Sequence, residues 1–324
     1  MPDQQPLVSV VIPTYDRPEL LRRAVRSALG QTCQELEILV VLDGASEDSY
    51  RALNDIADPR LRLVPLEQNV GAPAARTAGV SAARGHWIAP LDDDDEWMPS
   101  KIAEQLQAAR DSRFSLPVVA CRFLARTDEA EFLWPRRRPD PEEPLSEYLF
   151  CSSGLAFGEG VLPSTVLFAP RELFLLEPPR CSEARHDDLD WLLRVAGHPG
   201  VGIQFVASDE PLAIWHRENR PRPLLPPEWL PSVTWIRSHF ARVTPRAYSS
   251  FVLRWTGSVA ARYRKWDAFW PLLAEAIRHG RPLPRDVLVY LAYWLVPVRM
   301  QPALARWWAG RRGSRASTAD RGAA

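Results

Sequence analysis

The 324 residues suit one enlarged α/β domain or two modest ones, and 46% hydrophobic with 25% charged residues is ordinary for a globular, core-forming chain. Cys33, Cys121, Cys151 and Cys181 are scattered without a C-x-x-C pair, which excludes a zinc ribbon or thioredoxin-like site and points to a reducing compartment rather than a disulfide framework. The net formal charge is zero but uneven: Pro221–Ala324 holds 17 Lys and Arg against 5 Asp and Glu, an excess that suits anionic lipid, a polyanion or simply a solvated helical surface.

Met1–Pro6 is polar and Leu7–Ile12 is too short for a secretory signal. Leu7–Ile12 reads instead as a buried strand, because it is a β-branched apolar run. Pro18 opens a helix, with Asp16 as a nearby cap, and Leu20, Leu21, Ala24, Val25, Ala28 and Leu29 recur at helical spacing. Leu36–Leu42 is a second strand that ends at the turn signal Asp43-Gly44. Helix Asp48–Ala57, strand Leu61–Leu66 and the Ala-rich helix Gly71–Ala83 follow, the last closed by Gly85 as a C-terminal cap. Trp87–Leu91 is a fourth strand and Ser100–Ala109 another helix.

This alternation predicts an α/β fold with a mostly parallel sheet flanked by helices. In such sheets ligands bind beyond the carboxyl ends of the strands. Tyr15, Asp43 and Asp92–Asp95 all fall there.

After a strand at Val118–Leu124 the pattern loosens. Arg136–Pro144 reads as an exposed loop, Ser164–Ala169 and Leu212–His216 as strands, and Asp188–Ala196 as a short helix. Gly158–Ser164 is either a loop on the acceptor side or a plain turn. The expected domains are 1–217, a Pro-rich linker at 218–232, a helical C-terminal region at 233–310 and a disordered tail at 311–324. No apolar run reaches the roughly 18 residues of a membrane-spanning helix. The longest, VLVYLAYWLVPV at Val287–Val298, is flanked by Arg285 and Arg299. It reads as a helix lying in a membrane interface or as a buried helix of a small subdomain.

Four adjacent aspartates, Asp92–Asp95, repel one another unless a cation neutralises them. Their oxygens suit hard divalent ions, Mn²⁺ or Mg²⁺. The alternative is a solvated acidic cluster ahead of the next helix. No G-x-G-x-x-G and no G-x-x-x-x-G-K-[ST] is present, so neither a dehydrogenase nor a P-loop enzyme is indicated. The basic tail carries no recognised nucleic-acid module, and no nucleic-acid partner is expected.

Three blocks in order, VSVVIPTYDRPELLRRAVRSALGQT, EILVVLDGASEDS and NVGAPAARTAGVSAARGHWIAPLDDDDEWMP, resemble the start of the family 2 glycosyltransferases. The resemblance implies the GT-A fold and inverting, non-processive transfer from a nucleotide-diphosphate sugar, UDP-linked by preference. It implies that Tyr15 stacks on the base and Asp43 binds it. Arg76 approaches the diphosphate, and Asp92 and Asp93 lie against the donor. Asp92 and Asp94 hold the metal, and His216 touches the metal or the diphosphate.

RHDDLDWLLR at Arg185–Arg194 is similar to the family's second acidic block and places Asp188 at the catalytic base. Such transfer needs one carboxylate to take the acceptor hydroxyl's proton; helix capping by Asp187 or Asp188 is the alternative. Leu42 stands where the family has the first Asp of Asp-Asp-Gly, and Asp187 where it has Glu. The absence of a Gln-x-x-Arg-Trp block implies transfer of single sugars. The expected acceptor is a saccharide or lipid-linked saccharide, met in the cytoplasm or peripherally at the inner face of the membrane through the C-terminal region. The alternatives are a catalytically inactive nucleotide-sugar- or glycan-binding module of the same fold and, less favoured, a nucleotidyltransferase.

Overall fold

The structure, a computed structural model, describes residues 7–44, 47–128, 130–140, 142–152, 154, 159–180, 186–217 and 228–296. The chain divides into two compact units, Met1–Arg138 with Val161–Pro221 and Pro139–Gly160 with Arg222–Ala324.

In the first unit, β1 (Val8–Thr14), α1 (Pro18–Leu29), β2 (Leu36–Leu42), α2 (Glu47–Leu53), β3 (Leu61–Pro65), α3 (Ala72–Ala82) and β4 (Trp87–Pro90) alternate as the apolar periodicity requires. Strands β1 and β2 are buried along their whole length, which explains why their sequences are nearly continuous Val, Ile and Leu. Pro18 starts α1, and Leu21, Ala24, Val25 and Ala28 form its buried stripe. Arg17, not Asp16, takes the cap position of α1. Asp16 instead makes the turn, at φ 51°.

Beyond β4 come β5 (Glu96–Trp97), α4 (Lys101–Arg110), β6 (Leu116–Ala120), β7 (Phe123–Arg126) and β8 (Glu131–Trp134). Later in the chain β9 (Ala169–Pro170) precedes a helix at Arg171–Leu176, and a helix at Asp187–Val195 precedes β10 (Val201–Phe205) and β11 (Ala213–His216). The main sheet has the order β3-β2-β1-β4-β9. Its first four strands are parallel and β9 is antiparallel. A second sheet has the order β5-β11-β7-β8, and β10 pairs with β6.

Several sequence expectations change. Val118–Leu124 is two strands, because β6 pairs with β10 whereas β7 pairs with β11. Ser164–Ala169 is mostly not a strand: Ser164–Val166 is a 3₁₀ turn, followed by a single bridge between Val119 and Phe168. Gly85 does not cap α3, which ends at Ala83 in extended conformation. Gly85 is glycine because a Cβ there would lie 2.6 Å from the Ser9 backbone nitrogen. Its N–H donates to Ser9 Oγ, which donates in turn to Glu37.

Gly79 lets α3 sit close on the sheet. A Cβ there would lie 2.5 Å from Val11 Cγ1 and 2.8 Å from Val41 Cγ2. Alanine in a helix interior usually gains up to about 1 kcal/mol over glycine. Here the collision with two buried, stiff side chains reverses the sign. Gly79→Ala is expected to destabilise by about 1–2 kcal/mol in urea unfolding; an unchanged or raised midpoint would show that α3 lifts off the sheet without cost.

The helices of the second unit, in chain order, are α5 (Leu145–Phe150), lying before Val161, and α6 (Trp229–Ser238), α7 (Pro245–Ser250), α8 (Gly257–Arg262), α9 (Phe269–His279) and α10 (Pro284–Leu295). A π-helical turn at Phe251–Thr256 links α7 to α8. Pro139–Gly160 groups with the C-terminal helices rather than with the residues that precede it. The reason is long-range: Ser250 Oγ donates to the Phe150 carbonyl at 2.8 Å, Thr244 Oγ1 to Glu147 at 2.8 Å, and the Phe150 ring packs on Trp235 and Phe251. Arg254 and Asp286 form a buried ion pair at 3.5 Å. No helix among the described residues is long and apolar enough to cross a membrane. Cys33, Cys121 and Cys151 are free thiols. Residues 218–227 of the expected linker, the expected tail, Cys181, Arg185 and Gly158 lie outside the described residues.

Candidate active site

The carboxyl ends of β1, β2 and β4 converge on one edge of the main sheet. Tyr15 follows β1 with its ring largely exposed, and Gly44 follows β2 at φ 92°. A Cβ at Gly44 would meet the Tyr15 ring at 3.5 Å, so the two turns are in near contact and glycine also permits the positive φ. Asp43 is buried, and its two oxygens accept the backbone N–H groups of Val70 at 2.7 Å and Gly71 at 2.9 Å. It thus ties the end of β2 to the start of α3. Each oxygen keeps a second lone pair for a ligand.

The aspartates after β4 have different environments. Asp92, Asp94 and Asp95 each bring one oxygen within 4.8 Å of the others, and this is the grouping among the described residues that could hold a metal ion. Asp93 points elsewhere: it accepts from Thr14 Oγ1 at 2.7 Å and meets Arg17 at 3.3 Å. Burial pushes the Asp93 carboxyl up to about 6, against the pull of Thr14 and Arg17 and helped by its charged neighbours Asp94 and Asp92. Arg17 also reaches Asp94 at 3.2 Å, so one half-exposed guanidinium offsets two members of the run. Asp95 is fully buried and accepts from Thr165 Oγ1 at 2.8 Å and from the His216 backbone N–H at 3.2 Å.

The His216 ring does not join the cluster. Strand β11 pairs antiparallel with β5, which brings the ring to Glu96 at 3.1 Å. His216 therefore supports Asp95 through its backbone. The three-carboxylate donor set fits a hard divalent cation, with Asp92 and Asp94 the more accessible pair.

Asp188 stands at the second position of the helix Asp187–Val195. Its Oδ2 accepts the Ser164 N–H at 3.0 Å, and its Oδ1 lies 3.8 Å from Arg76 Nη1. Arg76 is buried on α3, and its other terminal nitrogen is bonded to Asp92. One guanidinium thus lies between the acidic run and Asp188. Its Nε is buried without an acceptor. Burial raises the Asp188 pKa, Arg76 opposes the shift, and Asp92 adds to it. A raised pKa is the direction that suits a group meant to receive a proton. The Asp92 and Asp188 charges keep Arg76 protonated despite its burial.

Sequence reasoning missed the turn that joins these parts. Thr165 Oγ1 accepts the Asp92 N–H at 3.1 Å while donating to Asp95, and Ser164 Oγ donates to Asp92 at 3.4 Å. The Ser164–Val166 turn therefore touches both ends of the site. No local pattern marks it, because its partners lie far away in sequence. Arg17 was equally unmarked. Arg194, at the end of the second acidic block, is structural: it bonds Asp190 at 2.7 Å, the Pro178 carbonyl at 2.9 Å and Glu177.

The family model described as Glycosyl transferase family 2 matches residues 9–161. The succinoglycan biosynthesis protein ExoO of Rhizobium meliloti is 38% identical over 107 residues, covering 33% of this chain and 31% of that protein. The UDP-Glc:alpha-D-GlcNAc-diphosphoundecaprenol beta-1,3-glucosyltransferase WfaP of Escherichia coli is 35% identical over 100 residues, covering 31% of this chain and 40% of that protein. The match thus spans about a third of the length of these curated relatives.

Among solved structures, S. aureus TarS 1-349 aligns over 91% of this chain and 77% of its own, at TM-score 0.53 and 15% identity. The mannosyltransferase PcManGT from Pyrobaculum calidifontis, solved with GDP-Man and Mn²⁺, aligns over 90% and 80%, at TM-score 0.52 and 17% identity. These likenesses establish the GT-A fold. Residues 9–161 belong to glycosyl transferase family 2.

Proposed function

We propose that the chain transfers one sugar from a nucleoside-diphosphate sugar to an acceptor hydroxyl in a single displacement that inverts the anomeric centre. The carrying observation is the Asp92–Arg76–Asp188 arrangement at the carboxyl edge of the sheet. It sets a carboxylate of the acidic run and a separate carboxylate, with a raised pKa, on either side of one cation. That division of labour is what metal-assisted transfer to a hydroxyl requires.

Tyr15 and Asp43 border the nucleoside subsite, the ring by stacking and the carboxylate by hydrogen bonding. Arg76 faces the diphosphate. Asp92 and Asp94 would hold Mn²⁺ or Mg²⁺, while Asp93 and Asp95 anchor the run through Thr14 and Thr165. When bound, the cation neutralises charge on the departing nucleoside diphosphate. Asp188 removes the acceptor proton, its carboxylate oriented by the Ser164 N–H. Donor and acceptor placement supplies much of the rate.

A UDP-sugar is the favoured donor, supported by the name of the WfaP relative. The same name supports a lipid-linked saccharide as acceptor, and the name of ExoO supports a place in polysaccharide biosynthesis. Proton NMR of the newly formed glycosidic linkage tests the displacement: the anomeric configuration opposite to the donor's is expected. The same anomer would remove the single-displacement reading.

A further inference from the structure

We propose that the outward faces of α9 and α10, together with the basic turn at 262–266, dock the second unit onto an anionic lipid surface. The proposal rests on the reading of a lipid-linked acceptor for its purpose. Its support is separate.

Helix α10 turns Val289, Tyr290 and Trp294 inward. Its opposite face carries Pro284, Leu288, Leu291, Ala292 and Leu295, with no charge among them. Leu288 is 66% exposed and Leu295 75%. Helix α9 repeats the pattern: Leu272, Glu275 and Ala276 face inward, while Trp270 and Ile277 are 72% and 59% exposed. A surface helix in water normally places polar residues on its outer face. Here α10 does the reverse, and α9 exposes Trp270, Pro271 and Ile277 ahead of Arg278 and His279 in its last turn.

Ring contacts join the apolar features at one end. Trp266 lies 5.0 Å and Phe269 5.4 Å from Trp294, and Trp270 packs edge-on against Phe269 at 4.9 Å. Trp266 and Trp270 therefore border one aromatic cluster, and Leu295 follows its member Trp294 in the chain. Exposed indole rings of this kind suit the headgroup level of a bilayer, where one side is apolar and the other wet.

Charge selects the partner. Arg262, Arg264 and Lys265 immediately precede Trp266, and Arg278 and Arg281 flank the end of α9. Of the acids in 262–296, Glu275 and Asp286 are buried and paired with Arg237 and Arg254, leaving Asp267 as the exposed one. Residues 297–324 add six Arg against one Asp. Long basic side chains beside apolar surface bury their stems and present their charge to anionic headgroups. An uncharged protein partner would have no use for this excess.

The test is co-sedimentation of the full chain with vesicles of phosphatidylcholine alone or with phosphatidylglycerol. Binding is expected only to the anionic vesicles and should weaken with salt. Trp270→Ser/Leu288→Ser/Leu295→Ser and, separately, Arg264→Glu/Lys265→Glu should each weaken it by about tenfold or more. All three substituted apolar side chains are exposed, so folding should survive. Donor hydrolysis without vesicles should be unchanged, which separates this result from any failure of the proposed reaction. A folded chain that stays in the supernatant, whether its own residues 297–324 or a second copy covers the face, overturns the proposal. So does a dimer that the triple substitution converts to monomer without loss of vesicle binding.

Discussion

Asp188→Asn is expected to lower kcat by about a thousandfold, within the range of a lost general base, while donor affinity changes by less than about twofold. The substitution is conservative for structure. An amide oxygen can still accept the Ser164 N–H that the carboxylate accepts now at 3.0 Å. The Arg76 guanidinium keeps its bond to Asp92. What disappears is the ability to hold the acceptor proton. A merely capping role at the start of the Asp187–Val195 helix predicts the opposite pattern, with a lowered melting temperature and near-normal turnover. Steady-state kinetics with thermal unfolding on the same preparations distinguishes the two, and full retained activity would end the assignment.

Asp94→Asn is expected to abolish the stabilisation by Mn²⁺ and to lower metal-dependent turnover by about a hundredfold or more. In the wild-type chain, saturating metal should raise stability by about 2.7 kcal/mol when its free concentration is 100 times Kd. Without metal the variant should be no less stable than the wild type. It gives up an ion pair between Asp94 and a half-exposed Arg17, which is worth little, and it removes one of the charges that push the Asp93 carboxyl up. Calorimetry in chelator and in Mn²⁺ checks both halves. A variant that still responds to Mn²⁺ as the wild type does would move the ion away from Asp94.

The parts of this account that were legible in the sequence are local or repetitive. Buried runs such as VSVVI and LEILVVL name themselves as central strands, since a strand covered on both faces has no need of alternation. The four aspartates follow β4 after one residue, Leu91, so their place at the sheet edge came with the strand. Asp188 stood out only because the first half of the chain suggested a use for it, and its role as base is a proposal.

The unread parts depend on distant partners. β5 and β9 are two residues each, too short for any periodicity. The Ser164–Val166 turn matters because of Asp92, Asp95 and Asp188. The segment at 139–160 joins the C-terminal helices through hydrogen bonds spanning nearly 100 positions, such as Thr244 to Glu147 with a separation of 97. His216 was placed near the metal by resemblance, whereas the pairing of β11 with β5 turns its ring to Glu96.

The most direct test is a panel of nucleotide sugars added to the wild-type chain and to Asp188→Asn, each with Mn²⁺ and with chelator, read by thermal shift and donor hydrolysis. The account predicts one donor, UDP-linked, that stabilises both proteins only with Mn²⁺ and is hydrolysed only by the wild type. A folded wild-type chain that responds to no donor, or an Asp188→Asn chain that hydrolyses it at the wild-type rate, would contradict it.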